Sequence, residues 1–321
     1  MEQDWKIIRY EPSKAAEWDA FVKSARNATF LFERGYMDYH ADRFVDCSWM
    51  AYKGGALRTL LPANVDSRRI LHSHGGLSYG GWIMPQSHFD GVDMLNVFKC
   101  ACQEWKKEGI VALDYKPLPA IYAVRPSQED IYALFRLGAE LTEVNISSTI
   151  NLRSPGKFNK QQRRHLASAL RLPIEVAETG DIKAVMEMLE VCLRERHDTV
   201  PVHTAAEIEL LKERFPDNIK MYATFFEGKM HAAVCIYDTG VVAHAQYIAT
   251  TARGRELNLL SPLFHWLITE RYAQRDYFDF GISNEDHGRI LNEGLLRQKC
   301  SYGATAVAFS RYMLRLSENS D

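Results

Sequence analysis

The chain predicts an α+β protein of two domains, each a mixed, mainly antiparallel sheet flanked by helices. Three observations carry this expectation. The 321 residues exceed one ordinary domain and suit two of roughly 150 residues each. In the second half, apolar runs of strand and helix period follow the order β, α, α, β, β, β, α, β, α, β; the first half has a looser version of it. Between them stands Arg153-Ser154-Pro155-Gly156, which breaks any regular element and divides the chain into domains 1–153 and 154–321.

The first half opens with a strand over 5–10 and a helical pattern over 13–25. The run 48–65 reads as a hairpin, because Gly54-Gly55 separates two apolar stretches. Met94, Val97, Phe98 and Trp105 share one face of a helix over 93–107. A strand over 111–115 stops at Lys116-Pro117-Leu118-Pro119. A short helix over 128–137 and a strand over 146–152 complete this half. In the second half a helix over 159–172 stops at Pro173, and a strand follows over 174–177. The next helix, 181–196, has Asp181 as its N-cap. Thr204 and Glu207 form a capping-box pattern opening a helix over 204–215. Strands over 220–226, 232–237 and 241–249 are joined by Glu227-Gly228-Lys229 and Thr239-Gly240. One helix over 258–274, a strand over 277–282, a short helix and a strand over 305–309 close the chain.

Hydrophobic residues make up 46% and charged residues 25%, with a net charge of -2. This is an ordinary globular composition, and any phosphate or nucleic-acid contact must come from a local patch. The six cysteines include no CxxC pair, so free thiols in a reducing compartment are expected. The polar start Met1-Glu2-Gln3-Asp4 does not resemble a signal peptide. No apolar run approaches the roughly 20 residues that span a bilayer, and a cytoplasmic location is expected.

Several segments can carry chemistry. His244 and Gln246 alternate onto one face of their strand, with Tyr247 on the other. His244 is a candidate general base, or a hydrogen-bonded structural histidine. Asp279 is a lone acid between Phe278 and Phe280, facing a site or pairing with a buried base. The glycine-rich run Leu71-His72-Ser73-His74-Gly75-Gly76-Leu77-Ser78-Tyr79-Gly80-Gly81 lets backbone approach a ligand closely, or serves as a flexible connection. Arg153, Lys157, Lys160, Arg163, Arg164 and Arg171 lie in a stretch without Asp or Glu. They offer a surface to tRNA or donor phosphates, or form a solvated helix face. His197, Asp198 and His203 fit no standard helical ligand pair, so no metal is expected. The Asp-Phe-Gly triplet lacks the other kinase motifs.

The closing block is Tyr277-Phe278-Asp279-Phe280-Gly281-Ile282-Ser283, then Leu291-Asn292-Glu293-Gly294-Leu295-Leu296-Arg297-Gln298-Lys299-Cys300-Ser301-Tyr302-Gly303-Ala304. It resembles the end of the FemABX-like branch of the GNAT (Gcn5-related) N-acyltransferases, and the element order resembles two GNAT-like units in tandem. The coiled-coil arm of some members has no counterpart here. The resemblance implies that Lys299 stands near the reacting carbonyl and that Asp279 lines the acceptor cleft. A fixed cation at a tetrahedral oxyanion lowers the barrier by roughly 3–4 kcal/mol. A lysine there also suits the end of a helix dipole.

The resemblance further implies a donor side built from Gln246, Tyr247, Arg253, Gly254, Arg255 and Asn258. In coenzyme A users this loop reads Gln/Arg-x-x-Gly-x-Gly/Ala; Thr251 and Glu256 depart from that pattern. It implies an acceptor side from His72, His74, Tyr79, Tyr115 and Lys116 of the first domain, with His203, Ser283 and Asn292 of the second. The expected activity is transfer of an acyl or aminoacyl group onto an amine of a cell-wall or polysaccharide precursor by direct attack. The donor is acyl-CoA or aminoacyl-tRNA, with no tightly bound cofactor. The alternatives are an acetyl-CoA-dependent N-acetyltransferase acting on a small amine or amino sugar and a non-catalytic module of the same fold.

Overall fold

The computed structural model describes residues 5–197 and 199–316, the side chains at 196 and 197 excepted. Residues up to 145 together with those from 308 form one compact unit, and residues 146–307 form a second.

Unit 1 contains β1 (Trp5–Arg9), α1 (Ala15–Ser24), α2 (Arg34–Met37), β2 (Trp49–Lys53), β3 (Ala56–Leu61), β4 (Asn64–Val65), β5 (Ile70–His72), α3 (Gly91–Lys107), β6 (Ala112–Tyr115) and α4 (Glu129–Arg136). Strand β7 (Glu140–Asn151) leads into unit 2, which adds α5 (Lys160–Ala169), β8 (Ile174–Glu178), α6 (Ile182–His197), α7 (Ala205–Arg214), β9 (Ile219–Phe226), β10 (Lys229–Asp238), β11 (Val242–Thr250), α8 (Ala252–Glu256), α9 (Leu260–Trp266), β12 (Tyr277–Ile282), β13 (Asn284–Glu285), β14 (Ile290–Leu291) and α10 (Glu293–Cys300). Strand β15 (Thr305–Arg315) carries the chain back into unit 1. The strand order is β4-β5-β6-β15 in unit 1 and β7-β12-β11-β10-β9-β8 in unit 2; β1-β2-β3 form a separate small sheet.

Local rules explain many of these elements. Gly54 and Gly55 both have positive φ, 58° and 81°, as a two-residue turn between twisted strands requires. Asp90 caps α3 by accepting the N–H groups of Val92 and Asp93. Asp181 accepts the Ala184 N–H at 2.9 Å, and Thr204 with Glu207 closes the capping box of α7. In unit 1, α3 buries Met94, Val97, Phe98, Ala101 and Trp105 against Trp49, Trp82 and Leu113. In unit 2, Phe264 of α9 meets Phe280 and Tyr302, each with ring centroids 5.0 Å away. Each large side chain buried this way stabilises by about 2–3 kcal/mol.

Two local expectations are corrected. The helix expected over 258–274 is shorter and not uniform: Asn258 adopts φ 59° before it, α9 starts at Leu260, and its last turn is a π turn over Leu267–Arg271. Asn tolerates the left-handed region better than most residues, and Pro262 then falls in the first turn of α9, where its missing N–H costs little. The second correction concerns β11. Its register on β10 shifts between Cys235 and Ile236, whose partners are Tyr247 and Ala245, so Gln246 is an extra residue. Ala243, Ala245 and Ile248 consequently all pack into the α9-side core. His244 and Tyr247 therefore share the opposite face, because a bulge shifts strand alternation by one. All six cysteines are free.

Candidate active site

Strands β11 and β12 run parallel but pair over only three positions: Val242 with Tyr277, Ala243 with Phe278, and His244 with Asp279. Beyond that point β11 continues to Thr250 with its partner on β10 alone. The two strands thus part at His244 and Asp279. Phe278 and Phe280 turn into the core beside Phe264, which sends Asp279 to the opposite face, as the alternation predicts.

Asp279 is fully buried. Its Oδ2 lies 2.9 Å from His244 Nδ1. Its Oδ1 accepts the Ser147 hydroxyl at 2.5 Å, the Thr149 hydroxyl at 2.8 Å and the Gly281 N–H at 3.3 Å. Burial by itself would raise this carboxyl, but the hydrogen bonds from His244, Ser147 and Thr149 outweigh it and hold it below the usual carboxylate range. With Nδ1–H committed to Asp279, the basic lone pair of His244 resides on Nε2. Gly281 has φ 76°, and a Cβ there would sit 3.3 Å from His244 Cε1. The glycine of Asp-Phe-Gly therefore serves both the backbone turn and the histidine's space.

Lys299, in the last turn of α10, is only 6% exposed. Its Nζ donates to the carbonyl oxygens of Gly281 at 3.0 Å and Ile282 at 2.6 Å. Burial pulls its pKa down to about 8, and the charge of Asp279 opposes that fall. The three candidates for catalysis, Lys299, Asp279 and His244, thus converge on one turn of chain. Tyr247 adds a hydroxyl bonded to His203 Nδ1. Ser283 is placed through its backbone, accepting the Asn292 N–H at 2.9 Å. Asn292 caps α10 by accepting the Leu295 N–H at 3.0 Å.

The donor-side candidates are occupied with one another. Thr251 Oγ1 caps the Gly254 N–H at 3.0 Å. A Cβ on Gly254 would lie 2.2 Å from the His231 carbonyl oxygen, so close packing alone accounts for that glycine. Arg253 pairs with Glu256 at 2.9 Å. Arg255 donates to the Thr250 carbonyl at 3.0 Å and faces Glu195 at 3.5 Å. A cavity of about 460 Å³ opens at this corner between α6 and the end of β11, with Glu187, Met188, Glu195, Met230, Thr251 and Ala252 in its lining. Two carboxylates there suit a pyrophosphate poorly.

The unit 1 candidates separate into core and cluster. Tyr115 is fully buried and hydrogen-bonds the Trp82 N–H and Asp130. Tyr79 is buried against Phe32 and Tyr122. Both pack the core. His74 is buried with φ 68° and stacks on His40; burial pushes its pKa down to about 3, so it stays neutral. The glycine-rich run folds onto the end of β6: Gly80 donates to the Lys116 carbonyl and Ser73 accepts the Lys116 N–H, each at 2.7 Å. Lys116 Nζ donates to the Leu77 carbonyl at 2.6 Å, and burial lowers its pKa to about 8.

His72 has a counterpart in unit 2. Strands β5 and β6 are parallel, and His72 pairs in register with Asp114, as His244 does with Asp279. Its Nδ1 meets Asp114 at 2.7 Å, and its Nε2 meets Asp66 at 3.3 Å. Arg311 of β15 clamps both oxygens of Asp114 and reaches Glu143.

Sequence reading missed Ser147 and Thr149. The signal was three consecutive hydroxyl residues, Ser147-Ser148-Thr149, inside a strand flanked by Ile146 and Ile150. In the basic segment, Lys157, Lys160, Arg163, Arg164 and Arg171 are exposed, while Arg153 pairs with Asp276. Asp198 and the side chain of His197 lie outside the described residues. Among the described residues, His88, Asp90 and Asp93 come within metal-ligating reach of one another. Asp93 is already paired with Lys53, and Asp90 caps α3.

Parallel strands β11 and β12, which part after the antiparallel run β8-β9-β10-β11, have the layout of a GNAT unit, and unit 1 repeats the in-register histidine–aspartate pair on parallel strands β5 and β6. Residues 157–289 match the family model described as an acetyltransferase (GNAT) domain. The chain thus carries a GNAT acyltransferase domain within a tandem GNAT fold of the FemX kind. It superposes on a crystal structure of FemX with TM-score 0.70 and 12% identity, covering 97% of each chain. L-PGS from Bacillus licheniformis gives TM-score 0.63 at 11% identity, over 97% of this chain and 94% of that one. A tandem GNAT protein from the clavulanic acid biosynthesis pathway gives 0.51 at 9% identity, over 99% and 100%. No curated protein sequence matches the chain.

Proposed function

We propose that this protein transfers an acyl or aminoacyl group onto an amine of a cell-wall or polysaccharide precursor, with unit 2 as the catalytic unit. The observation that carries the reading is the His244–Asp279 pair at the point where β11 and β12 part, with Lys299 buried beside it. The acceptor amine attacks the donor carbonyl, and His244 Nε2 takes the proton that the new C–N bond displaces. Asp279 stabilises the imidazolium without taking a proton itself. Lys299 has three N–H donors, two of which bind backbone carbonyls; the third serves the tetrahedral oxyanion. The intermediate then collapses, and His244 returns its proton to the departing oxygen or sulfur of the donor.

The donor reading favours aminoacyl-tRNA. The paired arginines and the carboxylates of the donor corner support it, as do the exposed cations of α5. The acceptor class follows the FemX likeness. Acetyl-CoA is the second reading, favoured by the description of the matched family model. Thermal-shift measurements separate the two. An aminoacylated RNA minihelix with a non-hydrolysable linkage should stabilise the protein, and UDP-linked muropeptides should add to that effect. Strong stabilisation by acetyl-CoA with no response to the minihelix would overturn the donor assignment.

A further inference from the structure

A carboxylate with no exposure needs an explanation for its charge. Asp279 provides one from β7, a strand distant in sequence. Thr149 lies opposite Asp279 in the antiparallel β7–β12 ladder, and the register slips before Ser147 meets Ile282. That slip brings both hydroxyls onto the same oxygen, Oδ1. Ser147 is fully buried and Thr149 is 2% exposed, so these bonds are not traded against water. Filling Oδ1 leaves Oδ2 to His244 Nδ1, which fixes the ring's tautomer and its rotation. Lys299, from α10, also feels the charge of this carboxylate, and Cys300 follows it in the chain.

Unit 1 shows what the alternative looks like. There the equivalent antiparallel neighbour, β15, offers Arg311 to Asp114. Asp66 occupies the other nitrogen of the histidine. A guanidinium neutralises the carboxylate and a second acid favours the charged form of the imidazole, so that pair is held as a structural cluster. Neutral hydroxyls orient Asp279 without cancelling its charge, so its field remains on His244.

We infer that Ser147 and Thr149 are positioning residues of the catalytic pair, holding Asp279 in the orientation and charge that make His244 a base. The inference rests on the acyl-transfer reading of this site, but its test does not need a substrate. The full chain is labelled with ¹⁵N-histidine, and His244 is followed by long-range ¹H–¹⁵N correlation across pH. A His244→Gln spectrum assigns its signals. Wild type should show the Nδ1–H tautomer and a downfield Nδ1 proton. Thr149→Val, which keeps the shape, and Ser147→Ala with Thr149→Val should lose that downfield proton and the fixed Nδ1–H tautomer. Thr149→Ser should restore both, and Thr149→Val stands alone if the double variant does not fold. Variants that keep the wild-type tautomer and downfield proton would overturn the positioning role and leave the pair itself intact. A wild-type His244 without the Nδ1–H tautomer would instead remove the catalytic pair, and this inference with it.

Discussion

At the residue scale, the proposed chemistry rests on two buried ionisable groups, Asp279 and Lys299. On an identified substrate, Asp279→Asn should reduce turnover roughly 10³–10⁴-fold with little change in KM, since it removes the stabilisation of the imidazolium. His244→Ala should lose a similar amount, and the double variant no more than the worse single one. Steady-state rates on the three proteins check this. Lys299 makes a separate prediction through stability. Its pKa falls from 10.5 to about 8 on folding, so the fold disfavours its charged form. That penalty is full below about pH 8 and is relieved as pH rises from there to 10.5. Lys299→Met should therefore abolish the part of the stability gain between pH 8 and 10.5 that this residue supplies, as measured by denaturant unfolding. Lys116, also lowered to about 8, keeps its own share.

At the scale of elements, an irregularity in one strand decides which side chains meet. Strict alternation along β11 predicts His244 beside Gln246. The bulge gives His244 Tyr247 as its neighbour instead, and Tyr247 then reaches His203 of the α6–α7 loop. A bulge depends on the partner strand's register, which a single strand's pattern does not contain. The caps were readable because their donors and acceptors lie within four residues of each other, as with Thr204 and Glu207. Helix α5 tests the donor reading. Gln162 and Ala169 anchor it, while Arg163 and Arg164 face solvent. Arg163→Glu with Arg164→Glu should leave Tm within a degree or two, because substitutions at exposed positions change stability little. The same change should weaken minihelix binding and lower its salt dependence by about one slope unit per lost phosphate contact. Binding titrations at several salt concentrations read both effects.

At the scale of the whole molecule, one arrangement serves two ends. Each unit pairs a histidine and an aspartate in register across parallel strands, with a lysine nearby, buried in unit 2 and half-buried in unit 1, donating to backbone carbonyl oxygen. In unit 1 the pair contributes stability. His72 is raised above 6.5 chiefly by its hydrogen bond to Asp114. Its contribution is complete below pH 6.5 and fades as pH climbs through the raised value. Burial would raise Asp114, but Arg311 and His72 hold it well below 3.8, so its contribution is present above that pH and fades in acid. The cluster therefore stabilises most between about pH 4 and 6.5. Arg311→Met should cost roughly 2 kcal/mol in that window, less than the roughly 3–5 of a fully buried pair because the guanidinium is partly exposed. Urea unfolding across pH measures it, and acyl transfer in unit 2 should keep its pH profile.

The sequence by itself determined the α+β class, the strand and helix order of the second half and the capped helix starts, and it named Lys299, Asp279 and His244 as candidates. Those features follow from periodicity, turn chemistry and a family-like closing block, all of which are written in neighbouring residues. Only the tertiary structure decided that His244 and Asp279, 35 residues apart, face each other, and that Ser147, 132 residues from Asp279, supports the carboxylate. It also decided that the glycine-rich run packs against β6 and that Tyr79 and Tyr115 belong to the core. The physical reason is register. Which residue meets which across a sheet depends on two strands and on every bulge between them, and a chain read one residue after another holds no record of that pairing.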